Sequence, residues 1–235
     1  MSLQHSPKII RDNLVLYLDP GNARCYSGTG STCEDITGNN ITCDLNSITY
    51  SSTNGGIFTT SGSSGSDITT PRITGTGTGT LSQTYCVWVN PNDTAGNILS
   101  MSSSNPQGGW NMPPIFASSG AFRVKFWNNN VLNASAAYSN GTWYYVSAVF
   151  NYDTTAANRY QRLYVNGVQQ DEQTGISYSA SGVNNYLYFG QENPGANNTG
   201  MFAGSCGPMQ IYTGKALTTT EIVDNFEAHR GRFGV

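Results

Sequence analysis

The stretch Arg162-Leu163-Tyr164-Val165-Asn166-Gly167-Val168 decides how the chain folds. Asn-Gly supplies the two positive φ angles of a type I′ turn, whose twist matches that of two antiparallel strands, so a hairpin turns here. On either side, short runs of β-branched and aromatic residues recur between Gly, Asn, Ser and Thr clusters, the pattern of strands joined by surface turns. The clearest are Leu14 to Leu18, Tyr85 to Val89, Asn97 to Met101, Phe122 to Trp127, Trp143 to Phe150, Tyr186 to Phe189 and Pro208 to Tyr212.

Phe122-Arg123-Val124-Lys125-Phe126 alternates strictly, so one face of that strand is buried and the other wet, whereas every residue of Leu14-Val15-Leu16-Tyr17-Leu18 is apolar and predicts cover on both faces. Ser51 to Thr80 is a Gly/Ser/Thr tract that reads as a long loop with one or two edge strands, because its glycines hold no register. Only the C-terminus reads as helix. Thr218-Thr219-Thr220-Glu221 is a capping box, Leu217 and Ile222 form a hydrophobic staple, and Ile222, Val223 and Phe226 make the apolar stripe. Gly231 is the expected stop. These elements add up to an all-β fold, an antiparallel β-sandwich of jelly-roll type with one short C-terminal helix. Residues 13–235 form one domain and residues 1–12 an N-terminal arm that orders on a partner.

Only 11% of the 235 residues are charged, with eleven Lys+Arg against fourteen Asp+Glu, and no basic cluster suits a nucleic-acid backbone. No apolar run approaches the ~20 residues that span a bilayer, and the first residues lack the uninterrupted apolar core of a signal peptide. Nucleic acid and membrane are therefore not expected partners. The five cysteines (Cys25, Cys33, Cys43, Cys86, Cys206) contain no C-x-x-C pair, which disfavours zinc ribbons and redox centres, and they read as buried thiols.

The opening Leu14-Val-Leu-Tyr-Leu-Asp-Pro-Gly-Asn22, with Tyr26, Gly28, Gly30, Asp35 and Gly38, resembles the first strand and loop of laminin-G-like domains in the concanavalin A-like lectin/glucanase superfamily. The resemblance continues through Val87-Trp88-Val89-Asn90-Pro91, Gly141-Thr142-Trp143-Tyr144, Leu163-Tyr164-Val165-Asn166-Gly167 and Met209-Gln210-Ile211-Tyr212 to Arg230-Gly231-Arg232-Phe233-Gly234. That closing segment is similar to domains of tailed-phage virion proteins, cyanophages above all. The resemblance implies a lectin-like sandwich at a virion surface, contacting other virion proteins and host-surface glycans and compatible with a homo-oligomer. A secreted or cell-surface lectin module is the alternative, and a glycoside hydrolase the third reading.

Glycosidic hydrolysis needs two carboxyl groups about 5 to 9.5 Å apart. Glucanases of the superfamily carry them at alternate positions of one strand, and no such motif occurs here. The adjacent pairs Glu34-Asp35 and Asp171-Glu172 would face opposite ways on a strand. His229 reads as a cation at the helix end, and no nucleophile elbow is present, so no catalytic residue is expected. Asp19, Asn22 and Asp35 have the oxygen chemistry of calcium ligands but read first as turn formers, so neither metal nor cofactor is expected. Sugars are held by an aromatic face plus amide and carboxylate groups. Trp110 with Asn111, Trp127 with Asn128, and Tyr152 with Asp153 combine those groups in or beside loops and are the candidate ligand-binding residues, while Trp88 and Trp143 are assigned to the core.

Overall fold

The computed structural model describes residues 8–77, 79–105, 111–126, 130–176, 185–191 and 200–235. Among them run sixteen strands: β1 (Leu14–Leu18), β2 (Thr32–Glu34), β3 (Thr42–Asn46), β4 (Thr49–Ser51), β5 (Ile57–Ser61), β6 (Asp67–Thr69), β7 (Gln83–Pro91), β8 (Gly96–Ser102), β9 (Asn111–Ser118), β10 (Ala121–Val124), β11 (Leu132–Asn133), β12 (Tyr144–Asn151), β13 (Tyr160–Val165), β14 (Val168–Thr174), β15 (Tyr186–Phe189) and β16 (Ala203–Thr213). Two helices, α1 (Thr219–Glu227) and α2 (Arg230–Phe233), close the chain.

The strands make two eight-stranded antiparallel sheets. Sheet A has the order β14-β13-β12-β7-β16-β5-β4 with β1 also on β16, and sheet B has the order β11-β10-β9-β8-β15-β6-β3-β2. The register shows why they stack. Across sheet A, Leu16, Ile211, Tyr85, Ala148 and Leu163 stand side by side on one face. Across sheet B, Leu45, Ile68, Phe189, Leu99, Ile115, Val124 and Leu132 do the same. All twelve are buried, and each apolar side chain so placed contributes about 1.5–3 kcal/mol.

Sheet A's second face is also covered. Tyr17, Gln210, Cys86, Ser147 and Tyr164 form the next row along, with Trp88 and Tyr145 beside them. The terminal helices lie on this face: Trp88 stacks on Phe233 at 4.4 Å and on Phe226 at 5.7 Å, and Asn225 donates to the Tyr212 hydroxyl at 2.9 Å. This is the two-sided cover that the all-apolar β1 predicts. Ile9 and Ile10 pack here too, with Ile10 N–H donating to Asn225 Oδ1 at 2.9 Å and the Tyr212 hydroxyl donating to the Ile10 carbonyl at 3.0 Å.

The predicted turns and caps form. Asn166 (φ 50°) and Gly167 (φ 79°) make the tip of the β13–β14 hairpin. Thr218 Oγ1 accepts from Glu221 N–H at 3.3 Å while Glu221 Oε2 accepts from Thr218 N–H at 2.9 Å, which completes the capping box. Three expectations are corrected. The 51–80 tract is not a loop with edge strands, because β5 lies between β16 and β4 and β6 between β15 and β3. Gly231 does not stop the helix: α1 ends at Glu227, Gly231 lies within α2, and the left-handed residue that ends it is Gly234 (φ 71°). The strand begun at Phe122 ends at Val124, where the Phe126 N–H turns to a side chain of sheet A, Gln161 Oε1 at 3.1 Å.

Candidate functional site

With one face of sheet A covered by the helices, the outer face of sheet B carries rows of polar and tyrosine side chains, most of them buried. Strand alternation sends Ile68, Leu187 and Phe189 into the core and turns Asp67, Thr69, Tyr186 and Tyr188 outward. Register aligns Asp44, Thr69, Tyr188 and Ser100 in one row, and Tyr186, Ser102 and Asn111 in the next but one. A cavity of about 190 Å³ opens here, lined by Asn46, Asp67, Thr69, Asn105, Tyr188 and Gln191. Asp67 is its centre. Its Oδ1 accepts from Asn46 Nδ2 at 2.8 Å and from the Thr69 hydroxyl at 2.6 Å, so the carboxylate is fixed in orientation. The Tyr188 hydroxyl donates to the Ser104 carbonyl at 3.1 Å, and burial pushes its ionisation well above the ordinary tyrosine range. Beyond the cavity, the Arg72 guanidinium lies 5.1 Å above the Tyr186 ring and donates to the Ser103 carbonyl at 2.6 Å.

Of the loop candidates, Asn111, Tyr152 and Asp153 fall at one end of the sandwich. β7 leaves that end at Gln83, β8 returns to it at Ser102, and β12 returns to it at Asn151. Asn111 opens β9 there, opposite Ser102. Tyr152 and Asp153 follow β12: the Tyr152 N–H donates to Ser82 Oγ at 2.9 Å, Arg159 lies 4.9 Å above the Tyr152 ring, and Asp153 Oδ1 accepts from Thr155 N–H at 2.7 Å. Trp110, Trp127 and Asn128 lie outside the described residues, as does His5. Trp88 and Trp143 are buried, as assigned.

The other acidic residues singled out in the sequence have structural partners. Asp35 accepts from Tyr17 N–H at 2.8 Å, Thr37 N–H at 3.0 Å and Asn39 N–H at 3.2 Å, and from the Thr37 hydroxyl. Asp19 accepts from Gly21 N–H at 3.0 Å and pairs with Arg232 at 2.6 Å, and Asn22 Oδ1 accepts from Arg24 N–H at 3.0 Å. Turn formation is what these three residues do. Asp171 and Glu172 diverge as predicted, one to the Asn133 N–H at 2.9 Å and the other to Arg162 at 2.9 Å. His229 departs from its expectation. It sits partly buried between the helices and sheet A with the Tyr17 hydroxyl 2.9 Å from Nε2, and burial lowers its pKa, which disfavours the helix-end cation.

Sequence reading missed Asp67, Tyr188 and Asn46. Asp67-Ile68-Thr69 does alternate, and Tyr186-Leu187-Tyr188-Phe189 does too, but three residues inside a Gly/Ser/Thr tract give no usable period.

A profile described as the concanavalin A-like lectin/glucanase superfamily matches residues 60–223, more than half of the chain. The chain belongs to the concanavalin A-like lectin/glucanase superfamily. Solved structures carry the same sandwich: the binding domain of Paraclostridial Mosquitocidal Protein 1 (TM-score 0.62, 16% identity, 92% of this chain and 52% of that one) and the botulinum neurotoxin serotype D binding domain (0.64, 17%, 93% and 51%). This chain thus spans about half the length of those toxin domains. It spans nearly all of domain 4 of AbnA, a GH43 extracellular arabinanase of Geobacillus stearothermophilus, solved in complex with arabinotriose (0.58, 17%, 91% and 98%). At these identities the likeness is one of fold. No curated protein matches the chain.

Proposed function

We propose that this superfamily member is a non-enzymatic carbohydrate-binding sandwich at the surface of a phage virion, where it contacts neighbouring virion proteins and host-surface glycans. The observation that carries the binding function is the cavity on the outer face of sheet B, where a fixed carboxylate, amides and a tyrosine ring meet. Such a set supplies the acceptors, donors and apolar surface that a sugar needs. The arabinotriose complex of the AbnA domain supports a glycan as ligand for a sandwich of this size. Asn111, Tyr152 and Asp153 would extend the surface at the loop end, and Trp110, Trp127 and Asn128 are candidates for the same ligand from the sequence alone. The virion setting rests on the similarity of the closing Arg230-Gly231-Arg232-Phe233-Gly234 segment to virion proteins, and low charge favours the close packing of copies.

A glycan array probed with the full chain tests the binding. Retained sugars that are lost in Tyr188→Ala support it, and an array without signal removes it. Peptides of the chain in purified particles are expected by mass spectrometry, and their absence would leave a secreted lectin module. Asp44 and Asp67 are diagonal neighbours on this face, about 7–8 Å apart between backbone positions, and glycoside hydrolysis works through a pair of carboxyl groups. Reducing ends released from any bound polysaccharide would therefore overturn the non-catalytic assignment.

A further inference from the structure

We infer that the Asp67 cavity takes an uncharged sugar unit through a pair of neighbouring hydroxyls and rejects sugars that carry a carboxylate. This rests on the glycan-binding reading above and deepens it to a ligand class. Asp67 is only 2% exposed and no Lys, Arg or His is among the residues that line the cavity. A carboxylate so buried and without a cation is costly unless hydrogen-bond donors reach it. Asn46 and Thr69 satisfy Oδ1, and no donor among the described residues reaches Oδ2. Two hydroxyl donors on adjacent ring carbons match that free acceptor edge, and such charge-assisted bonds are the strong ones.

The neighbours are arranged for the same guest. Both Asn46 Nδ2 protons are engaged, by Asp67 and by Thr69 Oγ1 at 3.2 Å, so Asn46 presents only its oxygen. The Tyr188 hydroxyl is engaged by Ser104, which leaves its ring as an apolar wall. The side-chain amides of Asn105 and Gln191 have no protein partner among the described residues and stand at the rim. The cavity is thus rich in acceptors, with two amides that have no partner among the described residues for the remaining sugar oxygens. A uronic or sialic acid would bring its carboxylate against Asp67 and against Asp44, which lies beside Thr69 in the same row. Like charges so placed repel. Arg72 and Arg123 also stand on this face, but Arg72 is held over Tyr186 and neither lines the cavity.

Amide NMR of the full chain tests the assignment with four neutral trisaccharides (arabinotriose, maltotriose, cellotriose and mannotriose) and one acidic one, trigalacturonate. At least one neutral trisaccharide is expected to shift the amides of Asp67, Thr69, Tyr188 and Gln191 at millimolar concentration, with trigalacturonate shifting none. Asp67→Asn should weaken that binding about ten- to hundredfold, and Gln191→Ala, which removes an unbonded rim amide, should weaken it with no change in thermal unfolding. If trigalacturonate shifts these amides, or Asp67→Asn folds and binds the neutral sugar as before, the ligand class is wrong while the glycan-binding reading stands. If no sugar shifts any amide of this face, both fall.

Discussion

His229 shows how far one side chain's role depends on what folds over it. At the end of an exposed helix an imidazolium would be stabilised by the dipole, but here α2 folds back and places the ring against Tyr17, where burial favours the neutral form and outweighs the attraction of Asp19. The folded-state pKa therefore lies below the ordinary 6.5, and the unfolded chain binds the extra proton first. The contribution of His229 to stability should be flat above neutral pH and fall as pH drops through and below 6.5 toward the folded-state pKa. Glu221, held below its ordinary 4.5 by Lys215 and the Thr218 N–H, adds a second loss only at lower pH. Urea unfolding at a series of pH values checks this: His229→Gln should flatten the slope below pH 6.5, and parallel curves for the two proteins would show that His229 does not carry it.

At the scale of elements, β14 is the instructive strand. Val168-Gln169-Gln170-Asp171-Glu172-Gln173-Thr174 has no apolar period, and the reason lies across the gap between the sheets. The register skips a residue at Gln170, a β-bulge. Gln173 Oε1 then accepts from Asn130 N–H at 3.0 Å, Asp171 Oδ2 from Asn133 N–H at 2.9 Å, and Gln170 Oε1 from the Ser135 hydroxyl at 2.6 Å. Side chains of one sheet's edge thereby cap the backbone of the other's, which blunts both edges against pairing with further strands. Asp171→Ala should cost about 0.5–1.5 kcal/mol and speed amide exchange at Asn133, while Thr218→Ala at the helix cap should cost about 1 kcal/mol without touching that amide. The contrast explains what could be read in advance. β1, β7, β12 and β15 were legible because their side chains answer to the core, and the capping box and Asn-Gly turn because their signals are local. β14, β6 and the Asp67 cavity were not, because their polar residues answer to partners far along the chain, such as Asn46 to Asp67.

The molecule as a whole is asymmetric in a way that sets where it can bind. Both sheets have two faces, and both inner faces make the common core. The C-terminal helices cover one outer face only, with Phe233 wedged between Trp88 and Trp143 at 4.4 and 4.5 Å and so close to Gly207 that a Cβ there would lie 2.5 Å from its ring. That packing spends the aromatic side chains of sheet A on stability and leaves the outer face of sheet B without helical cover. The two faces should respond independently to substitution, since residues far apart with no shared partner act additively. Phe233→Ala is expected to lower unfolding free energy by about 3–5 kcal/mol and Gly207→Ala by about 1–3 kcal/mol, with sugar affinity of the folded protein unchanged in both. Tyr188→Ala should do the reverse, abolishing sugar binding at a smaller cost in stability than Phe233→Ala. Loss of binding in folded Phe233→Ala protein would mean that the helical cover and the open face are one coupled site.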